Sequence, residues 1–265
     1  MIPHALTSDG RLPPPAPPVV RSEIAAIRVV SCWLDREPQH KGALFPLLCA
    51  AERARATRFH FERDRRRFVI TRGSLRRLLG AELDVDPQSV VLEHGAYGKP
   101  HLGGAFAHSG LHFNVSHSSN LAVIGLSRGS EIGVDVEALQ HLKDADDLAQ
   151  QCFSPRERED YASAPPDEKI LAFFNCWTRK EALVKALGRG LSYPLHNFDV
   201  SLLPGEPAQL RRLGDKSGVD CGWQLQSFCP AAGFVAALAI KGSHNPAKVR
   251  FESPNRIPDR AGVCE

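Results

Sequence analysis

Asp135 and Glu137 stand two residues apart in Ile132-Gly133-Val134-Asp135-Val136-Glu137, an alternating segment that reads as a β-strand. The two-residue period of a strand puts both carboxylates on the Gly133 face, roughly 6.6 Å apart at Cα, with Ile132, Val134 and Val136 on the other. Like charges that close repel unless a cation sits in front of them. Mg²⁺ suits such a pair, because it takes a few carboxylates and fills its shell with water and substrate phosphate. For Asp-x-Glu alone, a solvated strand edge is the simpler explanation.

A second set of charges lies between Phe173 and Leu191. Helix formers fill its middle, and Gly188 and Gly190 supply a C-terminal stop. Phe173, Trp177, Val184 and Leu187 share one apolar stripe, and Lys180 falls inside it, where a charge is expensive unless paired. Glu181 and Lys185 are i,i+4 neighbours along the stripe's edge. A core helix with a snorkelling lysine and a surface ion pair accounts for each feature singly. With Asp135, Glu137 and Glu181 as ligands and Lys180 and Lys185 beside them, the set describes phosphoryl chemistry on a polyanionic substrate. Ser116-His117 cannot form a nucleophile–base pair, because adjacent residues on an extended segment point to opposite sides. No Gly-x-Ser-x-Gly elbow is present either, so hydrogen bonding to a ligand phosphate, or a structural loop role, suits them better.

The elements that must position these groups follow from periodicity. Ile27–Leu34 predicts a first strand, and residues 47–59 and 64–80 predict helices, the second ending at Gly80. Tyr97-Gly98-Lys99-Pro100 is a turn. Leu121–Ser127 and Glu131–Glu137 read as a β-hairpin joined through Arg128-Gly129-Ser130. Residues 140–172 read as helices and loops, with Ser154-Pro155-Arg156-Glu157 starting a helix; strands are expected at 197–202, 223–228 and 234–240. A shift of 108 positions lays Val69–Gly80 on Trp177–Gly188, a weak echo that suggests two related halves. The boundaries implied are a Pro-rich disordered leader over 1–22, halves at 23–120 and 121–241, and a poorly ordered tail over 242–265.

The chain has 265 residues, 43% hydrophobic and 24% charged, ordinary for a globular protein with a sizeable core. A net charge of +3 is too small to imply nucleic acid, but ten arginines between Arg53 and Arg77 face only Glu62 and Asp64. Such a segment wants phosphates or an acidic partner, unless it is a solvated helix face. Seven scattered cysteines without Cys-x-x-Cys encode neither a zinc site nor a disulfide framework. Reduced thiols, no membrane-length apolar run and no secretory h-region together predict a soluble, cytoplasmic protein.

Gly133-Val134-Asp135-Val136-Glu137, followed by Trp177-Thr178-Arg179-Lys180-Glu181-Ala182-Leu183-Val184-Lys185-Ala186, resembles the two-part signature of 4'-phosphopantetheinyl transferases. Gly98-Lys99-Pro100 and Phe113-Asn114-Val115-Ser116-His117 match that family's two upstream motifs in order, and the likeness over about residues 28–241 is closest to its long, Sfp-type branch. The resemblance implies an α+β fold of two similar halves related by a pseudo-two-fold axis, with coenzyme A in the cleft between them. It implies transfer of the 4'-phosphopantetheine arm to a serine of an acyl, peptidyl or aryl carrier protein, typically acidic, with release of adenosine 3',5'-bisphosphate. Asp135, Glu137 and Glu181 would hold Mg²⁺; Glu181 is alternatively the base for the carrier serine. Lys185 would offset charge on the leaving phosphate, Lys99, Ser116 and His117 would grip the nucleotide end together with Lys180, and Arg55 and Arg67 are the favoured contacts of the 3'-phosphate. Two halves in one chain also imply a monomer.

A Mg²⁺-dependent nuclease or phosphodiesterase is the strongest rival, since the same carboxylates suit water attack on a phosphodiester. It has no need of Gly98-Lys99-Pro100 or Ser116-His117. A non-enzymatic nucleic-acid binder would leave Asp135 and Glu137 facing a phosphate backbone that repels them.

Overall fold

The computed structural model describes residues 27–35, 42–190, 193–217, 222–242 and 248–252. The leader expected over 1–22 lies outside them. The first half runs through β1 (Ile27–Trp33), α1 (Ala50–Thr57), α2 (Glu62–Leu83), a β2–β3 ribbon (Leu92–His94 and Pro100–Leu102), β4 (Leu111–Ser118) and β5 (Leu121–Arg128). The second runs through β6 (Ile132–Ala138), α3 (Ala145–Cys152), α4 (Pro155–Ser163), α5 (Lys169–Leu187), β7 (Phe198–Val200), β8 (Leu210–Leu213), β9 (Lys216–Ser217), β10 (Trp223–Phe228) and β11 (Phe234–Lys241).

Each half lays its last strand between its first and its next-to-last. β5 pairs antiparallel with β1 and β4, and β11 pairs antiparallel with β6 and β10. In each, helices and a small extra sheet fill the connection after the first strand. The echo in sequence is therefore a repeat in topology, and the fold is α+β with two similar halves.

Alternation along the strands builds three packed layers of contact. On one face of the first sheet, Val30, Cys32, Ile124 and Leu126 meet Val69, Leu75 and Leu79 of α2. On one face of the second, Val235, Ala237 and Ala239 meet Phe173, Cys176, Leu183 and Val184 of α5. The remaining faces pack on each other, with Ile27, Val29, Leu121 and Val123 against Ile132, Val134, Val136 and Leu238. Each fully buried aliphatic side chain contributes about 1.5–3 kcal/mol relative to exposure.

Four expectations are corrected. Leu121–Ser127 and Glu131–Glu137 do not form a hairpin: both edges of β5 are taken by β1 and β4, so β6 enters the second sheet. Gly129, at φ +77°, turns the chain from one half to the other, and the break falls after β5 rather than at 120/121. Gly80 does not end α2, which continues to Leu83 and is capped by Asp84 in the left-handed region (φ 56°). Gly80 is instead where the helix presses on the following turn, since a Cβ there would lie 2.8 Å from the Val85 carbonyl oxygen. Finally, part of the supposedly disordered tail is β12 (Val249–Glu252), which pairs in parallel with β1. Arg28 grips Glu252 through Nε–Oε1 (3.0 Å) and Nη2–Oε2 (3.1 Å), and the Phe251 ring stands 4.8 Å from that of Phe228. Residues 243–247 and 253–265 of that tail lie outside the described residues.

Candidate active site

Gly133 sets the distance between β6 and α5. A Cβ there would come 2.1 Å from the Ala182 carbonyl oxygen and 2.4 Å from the Ala186 nitrogen, so only glycine lets the helix lie this close to the strand. The alternation of β6 is as expected: Ile132, Val134 and Val136 enter the core between the sheets. Asp135 and Glu137 on the other face thereby come beside Glu181 and Lys185 in the last turns of α5, which stops at Gly188 (φ 66°) as the sequence predicts.

From the other half, every second residue of β4 reaches β6. Asn114 Oδ1 accepts from the Val134 N–H (2.9 Å), and Ser116 Oγ donates to Asp135 Oδ1 (2.8 Å). Ser118 Oγ donates to Glu137 Oε2 (2.6 Å) and accepts from the Ala138 N–H (3.2 Å). The acidic site thus lies on the seam between the halves. Asn114 and Ser118 were not singled out in the sequence. Their signal was a polar stripe alternating with the apolar Leu111, Phe113 and Val115.

Lys185 Nζ lies 2.5 Å from Asp135 Oδ1 and 2.9 Å from Ser116 Oγ. Asp135 is 3% exposed, and its second oxygen, Oδ2, is buried without a hydrogen-bond partner, as is Glu181 Oε1. Burial is the main cause that raises the pKa of all three carboxyls above the ordinary range. Repulsion adds to it, from Asp135 on Glu137 and from both on Glu181, while Lys185 pulls all three back. Among the described residues, no three His, Cys, Asp or Glu side chains are gathered at metal-ligating spacing. Yet mutually repelling carboxylates with two buried, partnerless oxygens are the donor chemistry that a hard divalent cation satisfies, so the residues fit one.

A cavity of about 500 Å³ opens against the first half, lined by Arg55, Arg67, Arg72, Phe59, Phe68 and His117 among others. Arg55, Arg67 and His117, assigned to one ligand by the sequence, do share it. Arg67 is already committed, with Nε and Nη2 on the two oxygens of Asp35 at 3.1 and 2.6 Å. Arg55 lies over the Phe68 ring at 5.1 Å. The arginine run is largely internal structure. Arg66 joins Arg67 on Asp35, Arg72 and Arg76 pair with Glu52, Arg65 with Glu62, and Arg63 with Asp64. Arg76 is buried and also donates to the Pro87 and Val90 carbonyls at 2.7 and 3.0 Å. Arg53, Arg55 and Arg58 are left with no ion pair among the described residues.

Three assigned ligand contacts sit elsewhere. Ser116 is buried against Asp135 and Lys185, on the opposite side of β4 from His117, so it orients a carboxylate rather than gripping a nucleotide. Lys99 Nζ donates to the Ala186 carbonyl (3.0 Å) and the Ile132 carbonyl (3.3 Å) and pairs with Glu131 (3.2 Å), anchoring the turn to the second half. Its neighbour Pro100 is what lines the cavity. Lys180 is fully buried, 2.7 Å from Glu157, with the Leu195 and Phe198 carbonyls also at 2.7 Å and the Phe198 ring beneath it at 4.2 Å. Its charge is balanced inside the second half and does not face the acidic site. Glu157 in turn accepts from the Ser154 and Val200 N–H groups at 2.8 and 2.7 Å, completing the helix cap that Ser154-Pro155-Arg156-Glu157 predicts.

An α+β chain of two like halves, with carboxylates and a lysine on the seam and an arginine-lined cavity in the first half, has the architecture of an enzyme acting on a phosphorylated substrate. Two family models match it: the 4'-phosphopantetheinyl transferase superfamily over residues 131–239, and the 4'-phosphopantetheinyl transferase N-terminal family over 31–128. The chain is 41% identical over 209 residues to the 4'-phosphopantetheinyl transferase HetI of a Nostoc species, covering 79% of this chain and 85% of that one. It is 31% identical to the 4'-phosphopantetheinyl transferase psf-1 of Bacillus pumilus (71% and 77% covered) and 25% identical to Sfp of Bacillus subtilis (66% and 77%). The chain belongs to the 4'-phosphopantetheinyl transferase superfamily, in its long two-half branch.

Proposed function

We propose that this protein transfers the 4'-phosphopantetheine arm of coenzyme A to a serine of an acyl, peptidyl or aryl carrier protein. The observation that carries the reading is the seam itself: Asp135, Glu137 and Glu181 gathered around Lys185, with Arg55 and His117 lining a cavity of the first half. The serine Oγ attacks the pantetheine-side phosphorus of the pyrophosphate, the bond to the bridging oxygen breaks, and adenosine 3',5'-bisphosphate leaves with the electron pair. Glu181 takes the serine proton, since burial and like charge keep its carboxylate more basic than a solvated one. Lys185, in the last turn of α5, offsets charge on the leaving phosphate. Asp135 and Glu137 would hold Mg²⁺, joined by Glu181 where it does not serve as the base, and the ion would supply charge neutralisation at the pyrophosphate. Arg55 and His117 face the nucleotide's 3'-phosphate, with Arg53 and Arg58 nearby in sequence.

The nuclease reading finds no support among the relatives. We further read the protein as a cytoplasmic monomer whose partner is acidic; no helix of the described residues is long and apolar enough to cross a membrane. Incubating the protein with coenzyme A, Mg²⁺ and an apo-carrier, then weighing the carrier, tests the activity. A gain of one phosphopantetheine arm on the serine is expected, and an unchanged carrier mass across several carrier classes would overturn it.

A further inference from the structure

We infer that Lys185 is a stand-in cation, holding Asp135 through a contact that metal binding must break and that the substrate pyrophosphate draws away. The inference rests on the metal-binding reading above. Three carboxylates, Asp135, Glu137 and Glu181, meet on the seam, and one ammonium serves them. It does so unevenly: Asp135 Oδ1 receives both Lys185 Nζ, at 2.5 Å, and Ser116 Oγ, at 2.8 Å, while Asp135 Oδ2 and Glu181 Oε1 receive nothing. Ser116 also accepts from Lys185 at 2.9 Å, so serine and lysine close a clamp on one oxygen.

The clamp is built to open. Asp135 is fixed on β6 and its side chain is only 4% exposed, whereas the side chain of Lys185 is 29% exposed and projects from the last turn of α5. A lysine ammonium is a point charge on a flexible stem and re-pairs without any backbone movement. It cannot lie 2.5 Å from Asp135 Oδ1 while a cation takes that oxygen, and with no phosphate between them the two positive charges repel. A pyrophosphate arriving at the seam offers Lys185 a second, stronger partner. Each ligand therefore removes an obstacle to the other, and the coupling is reciprocal by linkage. Free protein binds the metal weakly, and the substrate-loaded protein binds it well. This order leaves part of the acidic charge balanced before either ligand arrives.

Lys185→Met separates the contact from mere proximity, and Ser116→Ala loosens the same clamp with the lysine charge kept. Wild type and both variants are titrated with Mg²⁺ alone in a calorimeter, then again with coenzyme A present, and melted in EDTA and in Mg²⁺. Lys185→Met should bind Mg²⁺ about tenfold more tightly than wild type without coenzyme A, the scale of one charge-assisted hydrogen bond. Coenzyme A should then enhance its Mg²⁺ affinity by a smaller factor than in wild type. In EDTA it should melt below wild type, with Mg²⁺ restoring the difference, because its carboxylates have lost the one cationic partner they have among the described residues. Ser116→Ala should shift Mg²⁺ affinity in the same direction by a smaller factor. Unchanged Mg²⁺ affinity in Lys185→Met, or an unchanged melting temperature in EDTA, would overturn the inference. An absence of Mg²⁺ binding in wild type even with coenzyme A would overturn the metal reading itself, and the inference with it.

Discussion

At the scale of single residues, two lysines five apart on one helix have opposite assignments. Lys180 balances Glu157 where neither is exposed to water, and removing one partner of such a pair leaves an uncompensated buried charge, at a cost of about 3–5 kcal/mol. Lys180→Met should therefore lower the melting temperature markedly while the folded fraction keeps its KM for coenzyme A; an unchanged melting temperature with a raised KM would return Lys180 to the substrate. Asp135→Asn should do the reverse. Burial already disfavours the ionised form of Asp135, so the neutral amide should leave the melting temperature level or slightly higher while turnover disappears. Turnover within tenfold of wild type at saturating Mg²⁺ would show that Asp135 is not in the site. Titration follows the same logic. Asp135, Glu137 and Glu181 have folded pKa values above their unfolded ones, so their stabilising contribution is complete at low pH and lost as pH rises through the folded values. Glu131 is the opposite case, held at about 2 by its hydrogen bond from His112 and by Lys99. Its contribution is present above the ordinary carboxylate range and lost as pH falls towards 2. Melting curves in EDTA should show both slopes, and Mg²⁺ should remove only the first; a Mg²⁺ effect that is the same at every pH would sink the assignment of the trio.

At the scale of elements, the site depends on one close approach. β6 and α5 carry all three carboxylates, and Gly133 is the point at which their backbones touch. In Gly133→Ala the new methyl meets backbone atoms, which cannot rotate aside, so the helix must move. Overpacking of this kind costs about 1–3 kcal/mol, and a displacement near 1 Å at a catalytic group costs on the order of a hundredfold in rate. The variant should thus lose activity out of proportion to stability. Wild-type kcat in a protein that melts normally would mean that the helix–strand spacing is not what positions the chemistry.

At the scale of the whole molecule, charge that looked like a docking surface is mostly spent inside the fold. Asp35 and Glu52, both outside helix α2, each hold two of its arginines in ion pairs. Steering of an acidic carrier then falls to Arg58, which is exposed, and Arg53, which is half-buried, rather than to Arg65 and Arg66. Exposed charges are screened over about 8 Å at physiological salt, so raising salt to about 0.5 M should raise KM for the carrier several-fold and KM for coenzyme A less. Replacing Arg53 and Arg58 by alanine should flatten the carrier's response. A full salt slope in the double variant would place docking elsewhere on the surface.

What the sequence determined by itself was local and periodic. The two-residue alternation of Ile132–Glu137 assigned each side chain its face, the i,i+4 spacing set Glu181 beside Lys185, and Gly188 closed the helix, all because backbone geometry alone imposes those relations. The motifs around Asp135 and Glu181 likewise carried the family. Tertiary structure decided which groups those faces meet. Lys185 finds Asp135 fifty positions away and Ser116 sixty-nine away, and the partner of Arg28 lies 224 positions on, in a tail that looked structureless. The hairpin signal around Gly129 was locally sound and still lost, because β1 and β4 offered β5 two edges and left none for β6. Helical periodicity set Lys180 inside the apolar stripe and Lys185 along its edge, without naming the partner of either. The burial of Glu157 beneath one and the partial exposure of the other at the seam make the first a strut and the second a reagent, since the worth of a charge is set by the dielectric and the partner it meets in the folded chain.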